Sequence, residues 1–224
     1  MKLLFLAIAP AMAIIIYIYV KDKYEKEPFK FLAKNFFLGA IVSVLITLLL
    51  GTLAGALFPF TDDKSVFQIL LKAFVVVALV EEFSKYIIVK YVAQRNKAFN
   101  EPFDGIVYAV MVSMGFATLE NIIYVFQYGV STGIIRAFTA VPAHATFAIL
   151  MGYFMGKAKF SKNRAILNLL GLLTATIFHG AYDFFLFINY VPGIWIGAII
   201  SLLIGIVLSK QAMKKHQSNS NFKV

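Results

Sequence analysis

The chain has no cysteine, one tryptophan and six prolines among its 224 residues, and only 14% of it is charged. Without cysteine there is no disulfide, no thiolate metal site and no cysteine nucleophile. The scarcity of charge, set beside 61% hydrophobic residues and a mean hydropathy of +0.82, excludes a soluble globule. Acidic side chains are scarcer still, 11 against 21 lysines and arginines, for a net charge of +10. That excess does not point to nucleic acid. The basic residues gather in short segments between apolar runs, as expected of loops that face cytoplasm and anionic lipid.

What is present in abundance is long apolar runs. They fall at about residues 3–20, 36–60, 66–91, 104–128, 134–156, 165–189 and 192–209, each near the ~20 residues needed to cross ~30 Å of hydrocarbon. The expected fold class is all-α, a polytopic transmembrane bundle of about seven helices forming one integral membrane domain over 1–224, with 210–224 as a cytoplasmic tail whose last residues fray. The run beginning "MKLLFLAIAPAMA" imitates a signal peptide but continues unbroken to Val20, so it reads as an uncleaved first span. Only "NYVPG" divides the last two runs, which leaves a re-entrant pair open. The loops "KDKYEKEPFKFLAK", "VKYVAQRNK", "GKAKFSKNR" and "SKQAMKKH" are basic, while "FPFTDDKS", "QYGVSTG" and "NYVPG" are nearly free of basic residues. Their alternation predicts a multi-pass protein with its N-terminus outside and its C-terminus in the cytoplasm. Its partner is the lipid bilayer.

The third run is anomalous, because "ALVEEFSKYIIV" sets Glu81, Glu82 and Lys85 inside it. Its thirteen large aliphatic or Phe residues between Ile69 and Val89 favour insertion by roughly 4 to 8 kcal/mol. Three charges oppose this by roughly 8 to 10 kcal/mol, so the helix needs polar partners or water. Candidates lie in three other runs: Glu120 and Asn121 in "GFATLEN", His144 in "VPAHATF", and His179 and Asp183 in "FHGAYDFF". Glu81 and Lys85, Phe116 and Glu120, and His179 and Asp183 are spaced four apart, so each pair shares one helix face and all can meet in one cavity. Taken singly, Asn121 or Asp183 reads as a helix-to-helix hydrogen bond; the number of such groups at similar depth argues against glue alone. Lys72 and Arg136, near helix ends, are expected to snorkel. Asp104, after "NEPF", is expected to cap the fourth helix.

Adjacent carboxylates in a low dielectric cannot both ionise cheaply, so Glu81 and Glu82 can hold one proton between them and act as a base. Histidines across the cavity can stabilise a developing oxyanion. The same residues could instead hold a divalent metal, with His144, His179 and Glu120 as ligands, although no HExxH motif makes zinc specific. They could equally serve a proton-coupled transporter or sensor. A serine nucleophile is poorly supported, since neither Ser84 nor Ser113 lies in a GxSxG setting. From the residues alone, hydrolase and transporter both stand.

Taken in order, "EEFSK", "DGIVYAVMVSMGFATLEN", "PAHATFAILMGYFMGKAKF" and "HGAYDF" resemble the PrsW family of bacterial intramembrane proteases, and more distantly the CAAX-protease and bacteriocin-processing superfamily that includes Rce1. The resemblance implies a peptidase of the bacterial cell membrane. It would make the site-1 cut in a single-span anti-sigma factor, on the extracytoplasmic side, and so lead to sigma-factor release under envelope or antimicrobial-peptide stress. Carried over by motif, Glu81 is the base with Glu82 sharing its proton, assisted by Lys85. His179 and His144 stabilise the oxyanion, and Asp183, Asn121 and Glu120 orient them. No cofactor is required by this glutamate mechanism; a divalent metal such as zinc is the alternative. The chain departs from the superfamily's EExxxR, showing Glu81, Glu82 and Lys85, and from its FxxxH, showing Phe116 and Glu120. Either His144 supplies the missing imidazole from the next helix, or Glu120 is itself part of the base system.

Overall fold

The computed structural model describes residues 2–220 and residue 222; Met1 lies outside them, as do Asn221, Lys223 and Val224 of the expected tail. Backbone in hydrocarbon has no water to bond, so each apolar run closes its hydrogen bonds internally as a helix. The helices are α1 (Lys2–Lys21), α2 (Phe29–Leu57), α3 (66–93), α4 (Pro102–Tyr128), α5 (Val130–Lys159), α6 (Arg164–Phe187) and α7 (Ile196–Ser218). There is no strand among the described residues. All but α3 are long and apolar enough to cross a membrane, and α3 is the helix interrupted by Lys72, Glu81, Glu82, Lys85 and Lys90. This is a polytopic helical membrane bundle. Leu45, Leu48 and Leu49 of α2 and Leu203 and Val207 of α7 are exposed on its outside, as a lipid-facing surface requires.

Three boundaries differ from those the apolar runs suggest. α2 begins at Phe29 rather than near 36, because "FKFLAK" continues the helix with Leu32 and Asn35 buried. α6 and α7 are full helices of 24 and 23 residues, so no re-entrant pair forms. The last helix runs to Ser218, so most of the segment expected to be a tail is packed structure. His216 holds the Tyr153 carbonyl through Nε2 at 2.9 Å with its ring stacked on Tyr153 at 4.5 Å, and Gln217 donates to the Lys21 carbonyl at 2.5 Å. Basic composition carried no information about these tertiary contacts.

α4 is the central helix, buried without a break from Phe103 to Thr118. Its start is over-determined: Pro102 opens the first turn, and Asp104 Oδ2 accepts from the backbone N–H groups of Asn100 and Glu101 at 2.7 and 2.8 Å. Glu101 is the N-cap itself, and Asp104, expected as the cap, closes the capping box from the third helical position. α5 crosses α4 with backbones nearly touching, since a Cβ on Gly152 would lie 2.4 Å from the Gly105 carbonyl oxygen. Close approach through small residues is how helices associate where lipid is as apolar as leucine. Backbone cannot yield as a side chain would. Gly152→Val is therefore expected to destabilise the bundle by ~3 kcal/mol, read as a lowered midpoint in a denaturing-detergent titration; an unchanged midpoint would show that the crossing is loose.

Candidate active site

The site begins with local helix geometry. In α3 the regular stretch Val80–Ile88 carries the acidic pair, and it lies between two wider-turned, π-helical stretches, Lys72–Leu79 and Val89–Ala93. Such turns rotate the following side chains relative to a regular helix and recur at functional sites. A third wide turn, Gly39–Ser43 in α2, faces this segment. Its Ser43 hydroxyl meets that of Ser84 at 2.5 Å, Thr47 donates to Ser84 at 3.0 Å, and Ser84 donates to the Glu81 carbonyl at 2.7 Å. These hydroxyls pin α3 to α2 and set which way Glu81 and Glu82 face. Ser84 is thus a structural hydroxyl.

Lys85 lies among the carboxylates. Its Nζ is 2.6 Å from Glu82 Oε1 and 3.6 Å from Glu81 Oε2, and it lies 4.3 Å over the Phe116 ring. Glu82 and Lys85 are 0% and 1% exposed, which makes this a fully buried ion pair. The spacing of four puts Glu81 and Lys85 on one face, but the tighter bond is to Glu82, three residues away.

From α6, His179 is held at both nitrogens, Nδ1 to Glu82 Oε1 at 2.9 Å and Nε2 to Asp183 Oδ2 at 3.3 Å. Its ring stacks on Phe147 at 4.9 Å. From α5, His144 faces Glu120 Oε2 through Nε2 at 2.9 Å and Lys85 through Nδ1 at 3.3 Å. A neutral ring that donates from Nε2 and accepts at Nδ1 satisfies both contacts. Phe116 lies edge-on to His144 at 5.7 Å, so Phe116 and Glu120, one turn apart, both frame an imidazole that comes from another helix.

The structure therefore brings together Glu81, Glu82, Lys85, His144, His179, Glu120 and Asp183. Asn121 does not touch a histidine: its amide donates to the Ala7 carbonyl at 2.8 Å and its oxygen accepts from Arg136 at 2.9 Å. Arg136 is the residue that sequence reasoning missed. It turns inward instead of snorkelling, donating to Glu120 Oε2 at 2.7 Å, because the backbone breaks at Thr139 and folds Val130–Phe138 back toward α4. Its signal was a lone arginine close to an otherwise non-basic loop.

Access to the centre survives at one edge, where the side chains of Glu81, Asp183 and Glu120 keep 12, 13 and 21% exposure. A cavity of about 590 Å³ lies elsewhere, lined by Asp62, Asp63, Gln68, Ile69, Lys72 and Asn189. Ile69 and Lys72 precede Glu81 by roughly 13 to 18 Å of helix, so that cavity is not the reacting centre.

One ligand atom from each of Glu81, Glu82, His144 and His179 lies within 4.8 Å of the others. Glu120 is outside this set; it backs His144 as an outer partner does in carboxylate–histidine–metal arrangements.

Residues 27–210 match the model of a family described as PrsW family intramembrane metalloprotease. The chain is 37% identical over 209 residues to Protease PrsW of Geobacillus kaustophilus, covering 93% of this chain and 90% of that one. It is 37% identical over 215 residues to Protease PrsW of Clostridioides difficile, with 93% and 87% covered, and 36% identical over 181 residues to Protease PrsW of Bacillus subtilis, with 80% of each covered. No solved structure matches the chain. Two imidazoles and two carboxylates, with Glu81 Oε2 and Glu82 Oε2 buried and lacking a hydrogen bond, are a donor set that fits a divalent metal such as zinc.

Proposed function

Because the chain belongs to the PrsW family of intramembrane proteases, we propose that it hydrolyses a peptide bond of a single-span membrane protein at the polar centre of α3, α4, α5 and α6, with Glu81 activating water. The observation that carries this reading is the convergence of Glu81, Glu82, His144 and His179 within 4.8 Å inside an otherwise apolar bundle. Peptide hydrolysis needs an acceptor for the proton of water and donors for the developing oxyanion. Glu81 is the acceptor, because its one contact is the long 3.6 Å approach to Lys85 and its Oε2 has no hydrogen bond. Glu82 is the fixed charge: one of its oxygens already serves both Lys85 and His179. His179 Nε2, whose bond to Asp183 is the looser of that ring's two, is the nitrogen that turns to the oxyanion, with Glu82 holding the ring in place through Nδ1. His144, backed by Glu120 and Arg136, provides the second imidazole.

The donor set favours a second reading, in which His144, His179 and the carboxylates of Glu81 and Glu82 hold a divalent metal. When bound, such a metal supplies Lewis-acid polarisation of the scissile carbonyl and activation of water. In either case the transporter reading yields to the protease family.

The proposed substrate is an anti-sigma factor, cut on its extracytoplasmic side, with sigma-factor release in envelope or antimicrobial-peptide stress. What supports it is the motif resemblance, together with the exposed edge of the centre. Glu120 and Asp183 lie toward the ends of α4 and α6 that meet the non-basic loops. The test is cleavage of the anti-sigma factor from the same cell by purified protein in liposomes, with and without a strong chelator. Cleavage that survives chelation supports the glutamate mechanism, and loss of cleavage with recovery on added zinc supports the metal. Cleavage of other single-span proteins but not the anti-sigma factor overturns the substrate class.

A further inference from the structure

A second acidic cluster lies far from the centre, at the basic-loop end of the bundle. The connection between α1 and α2, "DKYEKE", folds onto the start of α4. Glu25, Glu27 and Asp104 each place one oxygen within 4.8 Å of the others, and Asp22 is 1% exposed beside them. Glu27 is 3% exposed, yet neither of its oxygens has a hydrogen bond. The same holds for both oxygens of Asp22, for Glu25 Oε2 and for Asp104 Oδ1.

No described lysine, arginine or histidine nitrogen comes within 4.0 Å of these carboxylates, although the segment is rich in lysine. Lys26 turns away to the backbone carbonyls of Tyr19 and Asp22, and Lys159 to that of Asn96 at 2.7 Å. The N-terminus of α4 offers about half a positive charge, and its capping already uses the other oxygen of Asp104. That is too little for three buried carboxylates and the half-buried Glu25. Among the described residues, the cluster thus has no adequate counter-charge from the protein.

We propose that Glu25, Glu27 and Asp104, with Asp22 beside them, form a site for a hard divalent cation that ties the α1–α2 connection to the start of α4. The donors are all oxygen, with no imidazole or thiolate. This selects magnesium, manganese or calcium over zinc, and sets the site apart from the His-containing donor set in the membrane. The positive-inside rule puts this end in the cytoplasm, where magnesium is the abundant candidate.

The experiment is thermal unfolding of the full purified chain in detergent, after chelation and dialysis, with magnesium, calcium or manganese chloride titrated against potassium chloride of equal ionic strength. With cation at about a hundred times its dissociation constant, the midpoint should rise by roughly 5 to 10 °C. The rise should persist in His179→Gln, which alters the membrane donor set, and vanish in Glu27→Gln. A rise absent from the unaltered chain, retained in Glu27→Gln or abolished by His179→Gln overturns the proposal. So does a Glu27→Gln chain that is more stable than the parent in cation-free buffer and insensitive to cations, which identifies a shared proton instead. Should Glu27→Gln fail to fold, manganese binding to the His179→Gln chain by electron paramagnetic resonance decides. One bound ion displaced by magnesium supports the site, and none refutes it.

Discussion

The Glu81→Gln variant is expected to cleave a membrane substrate about 10²- to 10⁴-fold more slowly than the parent, the range that a positioned base contributes. The change is nearly isosteric and removes one 3.6 Å contact to Lys85, so the fold has little reason to respond. The unfolding midpoint should therefore stay within about 2 °C of the parent, as a change below ~0.5 kcal/mol implies. The pairing of these readouts matters, because a misfolded variant would also be inactive. Full activity in Glu81→Gln removes Glu81 from the role of base and transfers it to Glu82. The chelator arm separates the two chemistries, since the glutamate mechanism needs no added ion and the metal reading fails without one.

The second large effect concerns Lys85 and Glu82. Replacing Lys85 by Met leaves Glu82 fully buried with one remaining partner, His179, and Glu82→Gln leaves the Lys85 ammonium with Glu81 at 3.6 Å, the His144 ring at 3.3 Å and the Phe116 face at 4.3 Å, and no closer carboxylate. Breaking one half of a buried ion pair costs ~3 to 5 kcal/mol, a large fraction of the ~5 to 15 kcal/mol that keeps a typical domain folded. Each single variant should lower the midpoint of denaturing-detergent unfolding sharply. The double variant Glu82→Gln, Lys85→Met should recover more than half of the loss, since neither charge is then stranded, while cleavage remains absent because His179 has lost its Glu82 anchor. Additive losses in the double variant would show that the two residues act independently and that the 2.6 Å contact is not the one that matters.

Arg136 and Asn121 show where linear reading ran out. Both were visible as polar residues in apolar runs, but a helix position gives the face of a side chain and not its partner. Asn121 reaches the Ala7 carbonyl, 114 positions away in the chain, and receives Arg136, which spacing alone had sent to the membrane surface. The acidic cluster at the α1–α2 connection was hidden for a related reason. Lysines interleaved with Asp22, Glu25 and Glu27 made the segment read as a solvated basic loop, and only folding separates the lysines, turned to backbone carbonyls, from the carboxylates, turned inward.

The sequence by itself determined the all-helical membrane class, because hydrocarbon leaves an apolar backbone of this length no other way to satisfy its hydrogen bonds. It also determined that the polar centre draws on α3, α4, α5 and α6, because ionisable groups so costly to insert must find one another. Only the tertiary structure decided that Lys85 bonds Glu82 more closely than Glu81, that His144 fills the place facing Phe116 and Glu120, and that the last helix reaches Ser218. Those outcomes depend on wide turns, close glycine crossings and side-chain contacts between segments far apart in the chain. Pairing of that kind is set by distance in space, and the period of a helix carries no record of it.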